Sequence, residues 1–158
     1  MDSSTPVALG PAGGSWREIS SDSSNPDLSG PCGIHADGSG WCLSSRRSNQ
    51  TGYAVGLPLI PLPGNKTWAS IATGFEVATG VTDTGEGLYW GLPAFFYATP
   101  ERSPQLHPVP AAPDGAASWK ELGGLYDSAC GITSKGNLYC LGSTYGSWDK
   151  WTPVGHTV

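Results

Sequence analysis

The sequence is short of charge, of helical periodicity and of long apolar runs. Only 13% of its 158 residues are charged. No segment of helical length carries apolar residues at i, i+3, i+4 and i+7 without an intervening Gly or Pro, which argues against helices. The longest apolar stretch, residues 53–63, is broken by one glycine and three prolines. Such a stretch is unsuited to a membrane-spanning helix, which needs about 20 apolar residues.

Basic clusters are also lacking. The net charge is −5, and apart from Arg46-Arg47 the eight Lys and Arg are scattered. Without a basic stripe there is little to neutralise a phosphate backbone, so we expect no nucleic-acid partner. The first fourteen residues have neither a basic start nor an apolar core, and we expect them not to be a signal peptide. The signal of an exported protein would then have been removed or lie outside this chain.

What the sequence has is turn residues and large rings. It contains 23 Gly and 14 Pro, together with seven Trp, six Tyr and three Phe that a disordered chain would lack. This combination is typical of short packed strands joined by tight turns. We therefore predict an all-β chain.

A repeat of about 51 residues organises these strands. The phrases "SWREI", "TWASI" and "SWKEL" place Trp16, Trp68 and Trp119 at spacings of 52 and 51 residues. Each is followed by a hairpin, a loop and a short strand containing proline. We expect one domain over residues 1–158, with repeats at about 15–63, 66–113 and 117–155. The "TPV" at 5–7 matches the "TPV" at 152–154, which predicts an offset terminal strand at residues 5–7.

Two of the hairpins carry a cysteine at each end, "CGIHADGSGWC" and "CGITSKGNLYC". Counting inward leaves a three-residue loop with Gly in third place, as a type I turn followed by a left-handed residue requires. This register sets Cys32 opposite Cys42 and Cys130 opposite Cys140. We predict two cross-strand disulfides. The alternatives are reduced core thiols and, less favoured by the nine-residue gaps, zinc ligands.

The middle hairpin, "TGVTDTGEGLYW", has no cysteine. Allowing it one extra loop residue sets Gly80 opposite Tyr89 and Val81 opposite Leu88. Thr79 and Trp90 then occupy the two cysteine positions, and we expect Trp90 to fill the space of the missing sulfurs. In the other two hairpins we expect the aromatic partner to cover the glycine opposite it.

The third repeat, "SWKELGGLYDSACGITSKGNLYCLGSTYGSWDKWTPVG", resembles the repeat of the regulator of chromosome condensation family. The shared features are Trp-x-x-Ile, a Cys/Ala-Gly-Ile hairpin, a Gly-x-Leu-Tyr strand and a Pro-Val strand. The resemblance implies that each repeat is one blade of a β-propeller, and suggests the secreted, disulfide-containing type. Because propellers close with four to eight blades, three blades imply a partial propeller. A larger protein, further copies of the chain or neighbouring chains would complete it, and we expect the three repeats not to stand alone as a monomer.

Two sequons agree with export. Asn49 and Asn65 each begin an Asn-x-Thr triplet in a predicted loop, where a glycan could be attached, although a single sequon can arise by chance. Paired disulfides point to an oxidising compartment. We therefore expect a secreted or cell-surface glycoprotein.

Catalytic and metal-binding patterns are poor in the sequence. No Gly-x-Ser-x-Gly elbow occurs, while the order of residues alone leaves a Ser/His/Asp site as an alternative. The three histidines lie in unrelated contexts, and "GNKT" and "GEGLYWG" have the wrong glycine spacing for nucleotide loops. We therefore expect no enzyme activity, cofactor or metal.

Three loops that follow the third strand of each repeat should meet on one rim. They span residues 44–53, 93–103 and 143–151. Their candidate binding residues are Arg46, Arg47, Phe95, Phe96, Tyr97, Tyr145, Trp148 and Trp151. These side chains predict a protein-interaction scaffold or, alternatively, a lectin-like module that stacks rings on carbohydrate. Against both stands the possibility that half of the rings pack between blades.

Overall fold

A computed structural model describes residues 14–21, 31–43, 59–74, 77–91, 106–124, 128–142, 145 and 147–154. These residues form three antiparallel sheets of four strands each, which we call blades 1, 2 and 3. The all-β, three-repeat prediction is confirmed. The expected offset strand at residues 5–7 lies outside the described residues.

Each blade is built from consecutive strands that lie side by side in chain order. Blade 1 contains β1 (Trp16–Ser20), β2 (Cys32–His35), β3 (Gly40–Leu43) and β4 (Leu59–Pro61). Blade 2 contains β5 (Trp68–Thr73), β6 (Val77–Thr82), β7 (Gly87–Gly91) and β8 (His107–Pro108). Blade 3 contains β9 (Trp119–Gly124), β10 (Ser128–Thr133), β11 (Leu138–Gly142) and β12 (Ser147–Pro153).

The cysteine hairpins have the predicted register. Cys32 pairs with Cys42 and Cys130 with Cys140, and each pair forms a disulfide. In both hairpins the third loop residue is a left-handed glycine, Gly38 or Gly136. Its N–H donates to the carbonyl three residues earlier, which closes the turn.

The register predicted for the middle hairpin is wrong by one residue. Thr79 pairs with Tyr89 and Gly80 with Leu88, whereas Trp90 pairs with Ala78. The reason is that Gly85 takes the left-handed conformation in the same three-residue turn, so the loop holds no extra residue. Thr79 and Tyr89 therefore occupy the positions of the cysteines, and burial raises the pKa of Tyr89.

Trp90 is buried beside the repeat tryptophan of its own blade instead of filling the space of the missing sulfurs. Its ring lies 5.3 Å from that of Trp68, between blades 1 and 2. This contact follows from the corrected register, which turns Trp90 to the face of the sheet that meets blade 1.

The repeat tryptophans explain why each hairpin contains a glycine two residues before the turn. In all three blades the tryptophan that begins the first strand lies against this glycine, where a Cβ would come within 3.1 Å of the ring. The pairs are Trp16 with Gly33, Trp68 with Gly80 and Trp119 with Gly131. The first strand thus supplies the nearest ring, rather than the cross-strand partner that we expected. A bulge directly after the tryptophan accompanies each contact.

The apolar core lies between the blades, not within them. One cluster joins blades 1 and 2 and contains Cys32, Ile34, Leu62, Trp68, Ile71, Ala78, Leu88 and Trp90. A second joins blades 2 and 3 and contains Val81, Ala112, Trp119, Leu122, Ala129, Tyr139, Leu141 and Trp151. Each blade therefore depends on its neighbour for burial, as in stacked repeats generally.

Candidate functional site: the two end faces

We call the packed contact between two neighbouring blades a joint. One backbone hydrogen bond crosses each joint next to the hairpin turn. The N–H of Trp68 in blade 2 donates to the carbonyl of Gly38 in the blade 1 turn at 2.9 Å. Gly38 has a φ of 87°, and a side chain there would overlap Thr67. The turn glycine therefore serves both the hairpin and the contact with the next blade. The joint of blades 2 and 3 repeats these contacts with Gly85, Trp119 and Ser118.

Apolar side chains complete each joint. At the second joint, a Cβ on Gly87 would lie within 3.1 Å of Val109, Trp119 and Leu122, so these three side chains converge on the glycine. At the first joint, Leu62 and Trp68 converge on Gly40 in the same way. The two internal joints are thus built to one plan.

Polar side chains reach across the first joint as well. The carboxylate of Glu18 accepts a hydrogen bond from the N–H of Ile71 at 2.9 Å, and the guanidinium of Arg17 donates to the carbonyl of Trp68. Strand pairing places Glu18 opposite Ile34 and Glu121 opposite Ile132, so the two carboxylates hold equivalent positions in blades 1 and 3. Blade 3 therefore carries Lys120 and Glu121 where blade 1 carries Arg17 and Glu18. Both residues of blade 3 are exposed.

The two outer faces of the stack expose what the joints bury. Among the described residues, the exposed large hydrophobic side chains are Trp16 (38%), Ile19 (76%), Leu138 (40%) and Val154 (42%). Trp16 and Ile19 hold the positions of Trp68 and Ile71, which are 1% and 4% exposed. Val154 holds the position of Leu62. Each donates its backbone N–H to the carbonyl of the residue two places after the turn glycine of its own blade. Blade 1 thus presents one half of a joint, and blade 3 presents the other.

Leu138 departs from the pattern of residues at the two internal joints. It occupies the position of Gly40 and Gly87, where the internal joints leave room for a tryptophan ring. Any blade that meets blade 3 must therefore accommodate one more side chain than the internal joints do. Ile132, beside it, is half-buried, whereas the equivalent Ile34 and Val81 are fully buried.

The described residues include part of the predicted binding rim. The candidates Arg46, Arg47, Phe95, Phe96 and Tyr97 lie outside the described residues. Much of the expected loop 143–151 is strand, since β12 spans Ser147–Pro153. Trp148 lies in that strand, and the half-buried Tyr145 precedes it.

Trp151 packs between blades. Its ring is buried, lies 4.5 Å from the ring of Trp119, and donates from Nε1 to the carbonyl of Pro110 at 2.8 Å. Both its apolar body and its one donor are therefore satisfied inside the protein. The packing alternative applies to this ring, and it does not contribute to an exposed rim.

The structure describes one of the two predicted glycosylation sites. Asn65 is exposed in the turn between β4 and β5, with a φ of 47°. Asn49 lies outside the described residues. The amide of Asn65 is accessible for modification, and its use as a glycosylation site stays a prediction.

Asp114 braces the blade 3 hairpin. Its carboxylate accepts hydrogen bonds from Asn137 Nδ2 and Thr133 Oγ1, each at 2.8 Å, and from the N–H of Ala116 at 2.9 Å. These bonds, chiefly that from Asn137, hold the pKa of Asp114 below its ordinary value of 3.8. Ala116 lies in the β8–β9 connection, and Thr133 and Asn137 lie in the hairpin. The carboxylate therefore links these two segments by hydrogen bonds.

Within the described parts of the chain, no three His, Cys, Asp or Glu side chains are grouped to hold a metal ion. The same residues contain no helix long and apolar enough to cross a membrane.

Comparison with solved structures identifies the architecture. Human WBSCR16 superposes with a TM-score of 0.62 at 14% identity, over 92% of this chain and 41% of that one. Yeast RCC1 (Prp20), in a structure bound to Kap60, gives 0.58 at 11% identity, over 82% of this chain and 34% of that one. A second structure of Prp20p, from Saccharomyces cerevisiae, gives 0.57 at 15% identity, with coverage of 84% and 32%. No protein-family model matches the sequence, and neither does any curated protein.

The chain has the fold of a partial β-propeller. It spans about a third to two fifths of the length of these similar structures. At these identities the likeness shows the fold alone.

The sequence analysis expected an incomplete propeller whose ends need a neighbour, but it did not identify the residues of the end faces, although a signal for them exists. Aligning the repeats position by position shows that Ile19 and Val154 stand where the internal repeats place residues of the joints. What the alignment lacks is the knowledge that each face of a blade meets a different neighbour. That knowledge comes from the stacking order of the sheets.

Proposed function

We propose that this chain is a non-catalytic, extracellular propeller segment that acts as a protein-interaction scaffold. The observation that carries the proposal is the pair of end faces. Their apolar side chains are exposed at positions that the internal joints bury. Apolar patches with a polar rim mark protein-interaction surfaces, and Lys120 and Glu121 supply such a rim on blade 3.

The extracellular part of the proposal is supported by covalent chemistry. Two disulfides persist in oxidising compartments, and they brace the hairpins of blades 1 and 3. The exposed Asn65 begins a sequon in a surface turn.

The similar solved structures support a protein as the partner. Yeast RCC1 (Prp20) is seen bound to the protein Kap60, and Prp20p has binding properties to Gsp1p and histones. Those partners belong to those proteins. We extend only the class of partner, another protein, to this chain.

Carbohydrate binding is the weaker alternative. It depends on aromatic side chains that either lie outside the described residues, such as Phe95 and Phe96, or are buried, as Trp151 is. Among the described residues, the exposed large hydrophobic side chains are one ring, Trp16, and three aliphatic groups, and all four lie on the end faces.

Affinity capture from the secretory medium of the producing cells tests this function. Wild-type chain should retain protein partners, and Val154→Lys, which puts a charge on the blade 3 face, should retain fewer. Ala111→Lys, at an exposed site between β8 and β9, is the matched control. Retention of polysaccharide, unaffected by Val154→Lys, would instead support the lectin-like alternative.

A further inference from the structure

The two end faces are complementary halves of one joint, and both lie on the same chain. Blade 1 offers Trp16 and Ile19, the residues that a blade buries against the blade before it. Blade 3 offers Leu138 and Val154, at positions that contact the blade that follows. Each half therefore has its counterpart on a second copy of the chain.

We propose that two copies of this chain join head to tail and close into a six-bladed ring. The blade 1 face of each copy packs on the blade 3 face of the other. The proposal rests on the proposed function, because it names the partner of the same end faces. Contacts between unlike surfaces either close into rings or extend into filaments. Six blades lie within the four to eight with which propellers close.

The apolar part of this contact follows from the second internal joint. There Val109 lies next to Gly87, and Trp119 and Leu122 of the following blade approach the same point. In the ring, Val154 and Leu138 of one copy take the places of Val109 and Gly87. Trp16 and Ile19 of the second copy take those of Trp119 and Leu122. All four exposed hydrophobic side chains are thereby buried together.

The polar part follows from the first internal joint. Glu18 accepts the N–H of Ile71 there, and Arg17 donates to the carbonyl of Trp68. Glu121 stands at the position of Glu18, and the residue of the second copy equivalent to Ile71 is Ile19. Blade 3 therefore has an acceptor for the N–H of Ile19 and, in Lys120, a donor at the position of Arg17.

Leu138 makes the contact between copies different from the internal joints. Its side chain fills space that a glycine leaves to the tryptophan ring, so Trp16 of the second copy must pack beside Leu138 and not over bare backbone. Trp16 is 38% exposed, whereas the equivalent Trp68 of the first internal joint is 1% exposed.

Light scattering after size separation measures the assembly directly. Wild-type chain at about 100 μM should have twice the mass of one 16.4 kDa chain. Ile19→Glu and Val154→Lys should each be monomeric under the same conditions, because each puts a charge into both contacts of the ring. Ala111→Glu and Ala111→Lys, at an exposed site outside both faces, should remain dimeric.

Mixing the two face variants tests the head-to-tail arrangement. A ring of one Ile19→Glu chain and one Val154→Lys chain has one unaltered contact and one contact with a Glu–Lys pair. The mixture should therefore form dimers that neither variant forms alone. A contact of blade 3 with blade 3, or of blade 1 with blade 1, would not be restored by mixing, and that result would overturn the proposal.

Cysteine cross-linking tests the register. At the first internal joint Ser39 pairs with Thr67 as an isolated bridge. The equivalent positions on the end faces are Asn137 and Ser15. Chains with Asn137→Cys should link to chains with Ser15→Cys on mild oxidation, with a yield at least ten times that of Ala111→Cys with Ser15→Cys. Equal yields from the two pairs would overturn the proposal.

A wild-type chain that stays monomeric at 100 μM would also overturn it. That result would leave the proposed function standing if Val154→Lys still reduced the capture of other proteins. An intact dimer whose captured protein is only a second copy of the chain would instead leave the ring and remove the wider scaffold role. The two failures are therefore distinguishable.

Discussion

Replacing Gly131 by alanine tests the packing of each repeat tryptophan on its hairpin. A Cβ at this position would lie 2.6 Å from Leu122 Cδ2 and 2.7 Å from Trp119 Cζ3. Carbon atoms in contact normally lie about 3.5–4.0 Å apart, so the overlap is roughly 1 Å with each of two side chains. Neither has room to withdraw, since Leu122 is buried and Trp119 is held against Trp151.

Overpacking of a filled core costs about 1–3 kcal/mol, and two immobile neighbours place Gly131→Ala near 2–3 kcal/mol. For a chain of this length the midpoint of thermal unfolding should fall by roughly 5–10 °C. Circular dichroism at low protein concentration, with the disulfides intact, measures the shift. The wild type and the variants are compared at the same protein concentration, so that self-association does not distinguish the samples.

Gly123→Ala is the matched control. Gly123 lies on the neighbouring strand opposite Cys130, and the nearest atom to a Cβ there is a carbonyl oxygen 4.0 Å away. Alanine at this open position should leave the stability unchanged or raise it by up to about 1 kcal/mol, because it restricts the unfolded chain. Equal losses for the two variants would refute the claim that the tryptophan requires a glycine beneath it.

Three other predictions concern the covalent and electrostatic ties. Replacing both cysteines of Cys130–Cys140 by alanine should lower the free energy of unfolding by about 2–3 kcal/mol, the value expected for a short closed loop, as measured by urea denaturation. Because the pKa of Asp114 is lower in the folded protein, its contribution to stability is complete above pH 3.8 and is lost as the pH falls through the lowered pKa. The thermal midpoint of Asp114→Asn should therefore fall less between pH 5 and 2 than that of the wild type. Chain made in a eukaryotic secretory pathway should lose mass with an N-glycan-releasing enzyme, and Asn65→Gln should lose less.

Local patterns predicted the parts of the fold that local physics decides. The three-residue turns, the disulfide pairing and the spacing of the repeats all follow from residues close in sequence, because a left-handed glycine fixes the register outward from the turn. The predicted register of the middle hairpin was wrong because it assumed an extra loop residue, whereas Gly85 ends a three-residue loop as in the other hairpins. Counting from the turn glycine would have given the observed pairing of Thr79 with Tyr89.

Local patterns did not identify the residues of the end faces, because the exposure of each sheet surface depends on which blade it meets. Trp16 and Trp68 occur in similar phrases, yet one is exposed and the other buried. Trp151 shows the opposite case, a ring that was expected to be exposed and is buried. A sequence rich in Gly, Ser and Trp predicted a loop with an exposed ring, but the ring belongs to a strand whose position is set by Trp119 and Pro110.

The central claim is that the end faces are halves of a joint that becomes buried. Hydroxyl-radical footprinting of Ile19 and Val154, read by mass spectrometry at 1 μM and at 100 μM, tests it most directly. Oxidation of both should fall at least fivefold at the higher concentration, while labelling of the exposed Pro61 should stay constant. Equal labelling of Ile19 in the wild type and in the monomeric variant Val154→Lys, both at 100 μM, would contradict the account.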